Sequence, residues 1–304
     1  MTYSIVARDE STGQLGVACQ SHFFAPGASV TWAAPGVGAI ATQAFVDGRY
    51  GAHGLNLLDG GVPAAAALDQ LLRGDDHPDV RQVALVGAEG DAAAWTGQAC
   101  IASAGHLIDG PVSVQGNMLD HDGVLPAMLA AWHRGEGDLA ERLVRALEAA
   151  EHAGGDIRGS QGAALLVVDG ARTARPWQHK PIDLRVEDHP APVAELRRLL
   201  ACRRAFDAVS GTMFAPGLMV GPYNEPEPGD RDRALAALAG AARVLDGNPE
   251  AEFWRGVLLA RSGDLASARG QLAGPLAANP RLDRFLDRLA DAGFLDHDDR
   301  KDLR

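Results

Sequence analysis

The chain has 304 residues, of which 46% are hydrophobic and 22% charged, a balance that is typical of a soluble globular protein and excludes wholesale disorder. Its formal net charge of −12 argues against a surface that follows nucleic-acid phosphates, so no nucleic-acid partner is expected. No stretch reaches the ~20 apolar residues of a membrane span, and no signal-peptide pattern is visible. We therefore expect a cytoplasmic protein with no membrane partner.

The three cysteines indicate neither a disulfide framework nor a metal site. Cys19, Cys100 and Cys202 are isolated and lack CxxC spacing, which fits a reducing compartment. Cys19 lies in a strand pattern, which favours a small core residue over a nucleophile. The LDHDG stretch at 119–123 has contiguous Asp, His and Asp, which cannot converge on one ion from a regular strand or helix. No metal and no cofactor are expected.

A strand pattern begins at the second residue of the chain. Tyr3, Ile5 and Ala7 alternate with other side chains, a turn-forming cluster follows at 9–13, and a second run occupies 15–19. This pattern predicts a β-hairpin whose first strand starts at Thr2. Chain ends are ordinarily frayed, so a terminus that is built into a sheet is either incidental to folding or a part with a function.

Strand and helix patterns then follow in groups. Further strands are predicted around Ala28–Trp32, Gly38–Gln43, Gln82–Val86, Ala92–Thr96, 111–119, Ala163–Val168 and 182–186. Helices are predicted at Gly51–Leu58, Pro63–Arg73, Val124–His133, Leu139–Ala153 and Val193 to about Val209. Hairpins dominate and helices come in consecutive pairs, which disfavours a doubly wound parallel sheet. The order predicts an α+β fold, a four-layer α-β-β-α sandwich of two antiparallel sheets.

A change of composition predicts a second domain. Residues 1–210 are expected to form the sandwich, and the proline- and glycine-rich residues 211–229 a linker. Residues 230–304 read as a small all-helical domain, with tetratricopeptide-like spacing of Trp254, Gly256, Leu259, Gly263, Ala268 and Pro280. We expect its core to contain Leu238, Trp254, Leu258, Leu272 and Leu289.

Thr2 is the candidate residue with the most specific chemical role. Removal of Met1 would leave a threonine with a free α-amine, whose pKa of about 7.7–8.0 makes it a usable base near neutral pH. A threonine hydroxyl that is activated by its own amine is an established nucleophile and base pair. The alternative is an ordinary processed N-terminus without a catalytic role.

Five stretches resemble the bacterial family called domain of unknown function 1028. They are TYSIVARDESTGQLGVACQSHFF, GVGAIATQ, SVQGNML, GGDIRGSQGAALLVV and IDLRVEDHPAPVAELRRLL, which occur in the family's order between about Thr2 and Leu200. This family is grouped with the N-terminal nucleophile (Ntn) hydrolases. The tail from about Asp230 resembles a peptidoglycan-binding module that often follows this domain.

The resemblance to Ntn hydrolases implies catalytic roles for several residues. It places the nucleophile and the base on Thr2, and it places Ser21 and His22 where relatives of the proteasome type keep an acid. Those relatives also use a lysine from the third strand, which this chain lacks. The candidates for the missing positive charge are His22, Arg49 and Arg158.

Other polar residues gather where strand patterns end. The side-chain amides of Gln115 and Asn117 are candidate oxyanion donors. Asp156, Arg158 and Gln161 precede an apolar strand, and Asp188 and His189 follow the last one; turn formation is the alternative role for all of these residues. The predicted catalytic residues are Thr2, His22, Asn117, Asp156 and Arg158, and the predicted substrate-binding residues are Ser21, Gln43, Arg49, Gln115 and Gln161.

Two functions follow from the sequence. The first is an Ntn-type amidohydrolase that cleaves an amide bond of a small molecule or short peptide through Thr2. The second is a non-catalytic Ntn-fold binding or scaffold protein, whose helical tail recruits a protein partner or a peptidoglycan fragment. The polar strand ends favour the first, and the missing lysine favours the second. A homo-oligomer is compatible with either.

Overall fold

The computed structural model describes residues 2–303 as an α+β protein with two antiparallel sheets and several C-terminal helices. The chain divides into two compact units, Met1–Leu199 and Leu200–Arg304. Both sheets belong to the first unit. In the described part of the chain, no helix combines the length and apolar character needed to cross a membrane.

Ten strands form the two sheets. They are β1 (Thr2–Arg8), β2 (Leu15–Ser21), β3 (Thr31–Ala34), β4 (Gly38–Ala44), β5 (Arg81–Gly87), β6 (Ala92–Thr96), β7 (Gly105–Asp109), β8 (Val112–Asn117), β9 (Gly162–Val168) and β10 (Ile182–Val186). The six-stranded sheet has the order β10-β9-β2-β1-β8-β7, and the four-stranded sheet has the order β3-β4-β5-β6. Strand β1 therefore lies in the middle of the larger sheet, with β2 and β8 as its hydrogen-bonded neighbours.

Helices of the first unit contact strands of both sheets, and strands of the two sheets contact each other. The helices of the first unit are α1 (Gly48–Asp59), α2 (Ala64–Arg73), α3 (Val124–His133) and α4 (Leu139–His152), and α5 (Pro192–Met213) continues past the boundary of the unit. Helices α1 and α2 contact strands of the smaller sheet, and α3 and α4 contact strands of the larger one. Strands β1 and β2 contact β4 of the opposite sheet.

The two-residue period of β1 decides which side chains face the smaller sheet. Side chains alternate between the faces of a strand. The Tyr3 hydroxyl hydrogen-bonds Glu151 of α4, whereas Ser4 Oγ donates to Gln43 Oε1 of β4 at 2.6 Å. Val6 packs in the core between the sheets. Thr2 shares the strand face of Ser4 and Val6, and so lies at the end of the space between the sheets.

The second unit has its own apolar core. It contains α6 (Asp230–Val244), α7 (Glu250–Arg261), α8 (Leu265–Ala278), α9 (Arg281–Asp291) and α10 (His297–Asp302). The five residues expected in this core all belong to one buried cluster; these are Leu238, Trp254, Leu258, Leu272 and Leu289. The division into domains at 210 and 230 stays a prediction, and the compact units meet at Leu199 and Leu200, inside α5.

Three local predictions differ from the structure. The strand expected around Ala28–Trp32 starts at Thr31, because Pro26–Ala28 forms a short 3₁₀ helix with proline at its start. The sequence pattern did not predict strand β7 or helix α10, since each is only five or six residues long and largely exposed. The residues assigned to a linker begin inside α5, which runs to Met213.

A buried carboxylate ties α1 and α2 to β5, and its replacement should cost stability in a pH-dependent way. The Arg81 guanidinium, 2.7 Å from Asp75, holds the pKa of that carboxyl far below its usual range, and the amide N–H of His77 and the hydroxyl of Tyr50 also donate to it. A depressed folded-state pKa stabilises the fold above the unfolded-state pKa, and the gain is lost as pH falls. Asp75→Asn should lower the free energy of unfolding at pH 7 by about 1.5–3 kcal/mol, measured by urea titration.

The difference between wild type and Asp75→Asn should shrink as the pH falls below about 4, where the unfolded-state carboxyl takes up its proton. The neighbouring exposed carboxylate offers a matched control. Asp76→Asn should change stability by less than about 0.5 kcal/mol. A deficit in Asp75→Asn that stays constant from pH 7 to pH 3 would contradict the ion-pair explanation.

Candidate functional site

A cavity of about 400 Å³ lies where four strands end. Thr2 opens β1, Ser21 ends β2, Ala44 ends β4 and Asn117 ends β8, and all four line the cavity. A larger groove of about 770 Å³ runs along α3, α4 and the start of α5. Charged residues of that groove pair with each other, as Arg197 does with Glu148, so the groove offers structural ion pairs rather than reactive groups.

Thr2 is held on three sides at the head of the central strand. Its residue is only 6% exposed, and its hydroxyl donates to Ser21 Oγ at 3.1 Å. Its carbonyl oxygen accepts a hydrogen bond from Gln43 Nε2 at 3.0 Å, and the β1–β8 register places it opposite Asn117. The backbone of Thr2 is therefore fixed, and its hydroxyl meets the cavity.

A buried glutamine of the smaller sheet connects both sheets below the cavity. Gln82 Nε2 donates to the carbonyl oxygens of Gly105 and Gly116, at 3.0 and 2.7 Å. Its Oε1 accepts from Gln43 Nε2 and from Asn117 Nδ2, both at 2.8 Å. Two backbone carbonyls can only face the amide nitrogen of Gln82, so its oxygen must face the other two amides.

This network determines which way the Asn117 amide points. Since Gln82 Oε1 is an acceptor, the Asn117 atom beside it must be the nitrogen. Asn117 Nδ2 also lies 3.5 Å from the Thr2 carbonyl oxygen, while Asn117 Oδ1 is buried and has no hydrogen-bond partner within residues 2–303. The side chain of Asn117 thus offers a free acceptor. The role of this amide as an oxyanion donor stays a prediction, although its nitrogen already donates to Gln82 Oε1.

The loop before β9 brings an ion pair to the cavity. Asp156 is 5% exposed and accepts the backbone N–H of His22 at 3.0 Å and that of Arg158 at 2.8 Å. The Arg158 guanidinium pairs with Asp156 at 3.3 Å, and Arg158 also lines the cavity. His22 Nδ1 is buried without a hydrogen-bond partner. Asp156 therefore joins the end of β2 to the loop that carries the guanidinium.

Gln43 belongs to the buried amide network and not to the cavity lining, and three further predicted substrate-binding residues also lie away from the lining. Gln115 is fully buried in the strand interior, where it donates to Ser4 Oγ and accepts from Ser113 Oγ. Gln161 Nε2 donates to Asp188 Oδ1 at 3.2 Å.

Arg49 is the third, and it cannot supply the missing cation here. It lies in the first turn of α1, where its guanidinium binds the Asp47 carboxylate that caps the helix. Arg49 lines a groove that is separate from the cavity at Thr2 and that Tyr50 and Asp75 also line.

The cysteines offer no nucleophile. Cys100 lines the cavity, but burial raises the pKa of its thiol, and its Sγ donates to the Arg81 carbonyl at 3.4 Å. Cys19 is fully buried, as expected for a core residue, and burial raises its pKa to about 12. Both thiols are therefore protonated at neutral pH, which leaves hydroxyls as the candidate nucleophiles. Among the groups that the structure describes, no cluster of three or more His, Cys, Asp or Glu could hold a metal ion.

The backbone is unusual at this site. Ala44 and Met118 have φ angles of 66° and 49°, and Ala25, next to the cavity residue Pro26, has a φ of 53°. These three are the non-glycine residues with positive φ within 2–303. Left-handed backbone at non-glycine residues is held in place by its surroundings and concentrates at functional sites.

Sequence reasoning did not identify Gln82 or the apolar residues of the cavity. The only signal for Gln82 is a polar side chain directly before the apolar strand run VALVG. Phe23, Phe45 and Ile101 follow or connect strands, in loops whose placement a strand pattern does not define.

The arrangement defines an α+β protein with a small cavity at the head of its central strand, and comparison with known proteins gives its family. The model of the family of unknown function DUF1028 matches residues 2–196. The crystal structure of protein SPO2555 from Silicibacter pomeroyi, which carries the same family name, is similar over 66% of this chain and 87% of that chain, with 30% identity and a TM-score of 0.59. No curated protein matches the chain. The chain belongs to the DUF1028 family.

Proposed function

We propose that this chain is an Ntn-type amidohydrolase that cleaves an amide bond of a small molecule or short peptide, with Thr2 as its nucleophile. The observation that carries the proposal is the position of Thr2. It heads the central strand of the larger sheet, its hydroxyl donates to Ser21 Oγ at 3.1 Å, and it lines a cavity of about 400 Å³. A nucleophile on a rigid strand is held more accurately than one on a loop.

The packing of the elements supports an Ntn-like sandwich. Helices α3 and α4 pack on the larger sheet, α1 and α2 pack on the smaller one, and strands of the two sheets pack on each other. Thr2 lies on the strand face that is turned to the smaller sheet, beside Ser4, whose hydroxyl reaches Gln43. This is the geometry in which a freed N-terminal residue reaches a cleft between two sheets.

The chemistry uses the two functional groups of one residue. After Met1 is removed, the neutral amine of Thr2 takes the proton of Oγ1, directly or through a water. Oγ1 attacks the substrate carbonyl, the C–N bond breaks, and the proton passes to the departing amine. Water then attacks the Thr2 ester, its C–O bond breaks, and the acid leaves while Oγ1 regains a proton.

Asn117 and Arg158 have complementary roles in this mechanism. Asn117 Oδ1 has no donor partner among the described residues, and Asn117 is the register partner of Thr2, so Oδ1 accepts an N–H of the freed amine and orients it. Arg158 is the basic side chain among the described residues of the cavity lining, and it stabilises the negative charge that develops on the substrate carbonyl oxygen. Asp156 positions Arg158 and the segment at His22 through its hydrogen bonds.

A non-catalytic binding or scaffold protein is the second candidate. The observation that favours it is the lysine content: Lys180 and Lys301 are the two lysines of the sequence, and neither is among the cavity residues. In that case, the helical second unit would recruit a protein partner or a peptidoglycan fragment.

A covalent probe separates the two candidates. A β-lactone, which is opened by an activated hydroxyl, should add its whole mass once to the wild-type chain, and peptide mapping should place the adduct on Thr2. Thr2→Ala should remain unlabelled under the same conditions. Labelling of Thr2→Ala to the same extent, or an adduct on another hydroxyl, would contradict the assignment of Thr2. A wild-type chain that lacks Met1 and never reacts would favour the binding protein.

A further inference from the structure

The walls of the cavity beside Thr2 are largely apolar. Side chains of Val30, Val46 and Met118 contribute to its lining, together with those of Phe23, Phe45 and Ile101. The last three remain 68%, 61% and 53% exposed. Large apolar side chains that stay exposed around one cavity mark a place where a ligand or a partner removes them from water.

The described side chains of the cavity lining provide no unpaired charge to attract an ionic group. Arg158 is the charged side chain among its described lining residues, and the Asp156 carboxylate pairs with it at 3.3 Å. A charged group moved into such a site would lose hydration without gaining an unmatched counter-charge. The site therefore discriminates in favour of neutral apolar groups.

The volume of the cavity limits the size of the molecule that it can enclose. A volume of about 400 Å³ lies near the lower end of ligand pockets, which hold small molecules. A folded partner or a polymer would not be enclosed at this size.

The order of bond breaking indicates which half of the substrate occupies the cavity. In the proposed mechanism the amine leaves first, whereas the acyl group stays bonded to Thr2 Oγ1 until water attacks. Thr2 forms part of the lining, so the group that stays bonded to it is the group that the apolar walls can hold throughout the reaction.

From these four features we infer that the cavity is an acyl-binding site, selective for amides whose acyl group is uncharged, apolar and of small-molecule size. The inference rests on the proposed function for the identity of the acyl half. The apolar binding itself can be tested without turnover.

The test uses the Thr2→Ala variant of the full chain, which cannot form the ester. Isothermal titration with straight-chain primary amides, from acetamide to octanamide, should show affinity that rises about fourfold for each added methylene and then levels off when the cavity is full. The rise follows from the apolar area removed from water. Wild-type turnover should follow the same order when the acyl chain of an N-acyl p-nitroanilide is lengthened. Lengthening the amine of N-acetyl amides should have little effect.

Variants of the lining connect this binding to the cavity. Ala99→Trp fills the mouth of the cavity and should weaken octanamide binding by about tenfold or more, with little change for acetamide. Phe45→Ala should weaken the octanamide interaction in the same direction. Phe24→Ala is the matched control, since Phe24 is 62% exposed but is not part of the lining, and its variant should bind octanamide normally.

Each outcome is decisive. Affinity that does not depend on chain length, or that falls equally in Phe24→Ala and Phe45→Ala, would overturn the acyl site. A change of oligomeric state in Phe45→Ala without loss of octanamide binding would overturn it too, and would assign the exposed side chains to contact between copies of the chain. Chain-length-dependent binding with no turnover of any anilide would support the apolar site and overturn the hydrolase, so the two failures are distinguishable.

Discussion

Thr2→Ala should reduce the turnover of an N-acyl p-nitroanilide by at least about 10⁴-fold, because it removes the attacking hydroxyl altogether. Thr2→Ser should keep measurable turnover, since a hydroxyl remains on the same residue as the amine. The fold should survive in both variants. Strand β1 is paired by β2 and β8, with Thr2 opposite Asn117, and loss of a hydroxyl and a methyl at a strand start is a modest change. Circular dichroism and urea titration check that point, and p-nitroaniline release measures turnover.

The α-amine gives this prediction a second, independent readout. If the amine is the base, retention of Met1 converts it into an amide and should abolish turnover although Thr2 is intact. Inhibition of methionine aminopeptidase during expression supplies that form, and intact mass verifies it. For the processed enzyme, kcat/KM should rise with pH through the amine pKa of about 7.7–8.0, because only the neutral amine accepts a proton. Normal turnover by the Met1-retaining form or by Thr2→Ala would refute the mechanism.

The sequence predicts those residues near Thr2 that lie at the ends of recognisable strands. The first hairpin is evident from alternation and a turn cluster, so Ser21 must end the strand beside Thr2. Asn117 ends an apolar strand, and the structure pairs it with Thr2. Asp156 and Arg158 lie at a strand entrance, which antiparallel pairing of β2 and β9 brings to the same edge. Strand patterns predict such positions because, in an antiparallel pair, the last residue of one strand lies beside the first residue of the neighbouring strand.

Other features of the site and fold depend on contacts between residues that are distant in sequence, and no local sequence pattern predicts them. Arg49 was selected for its charge, but helix α1 begins at Gly48, and the capping carboxylate of Asp47 binds the guanidinium. The orientation of the Asn117 amide follows from its hydrogen bond to Gln82, which lies in the other sheet. Helix periodicity predicted α5 to about Val209, one turn short of its end at Met213, and it does not define where a compact unit ends.

Gln82 and Gln20 show how little the sequence says about a buried glutamine. Both are fully buried in strands. Gln82 makes hydrogen bonds to two backbone carbonyls, two side-chain amides and the Thr96 hydroxyl, whereas neither side-chain polar atom of Gln20 has a partner in the part of the chain that the structure describes. The two residues are chemically identical and nearly equal in exposure, so they form a matched pair for measuring what the network contributes.

Gln82→Met should lower the free energy of unfolding by about 3 kcal/mol or more, the largest loss of stability that we expect from a single change near the site. Methionine has a similar volume but cannot bond the carbonyls of Gly105 and Gly116, and buried groups that lose their partners cost about 1–3 kcal/mol each. Gln20→Met removes two polar atoms that already lack partners, so its stability should stay within about 0.5 kcal/mol of wild type or increase. Urea titrations of both variants at pH 7 measure the two values. Equal losses would mean that strand packing, and not the amide network, sets the stability of this site. A loss confined to Gln82→Met would show that the network below Thr2 holds the two sheets at the spacing that the cavity requires.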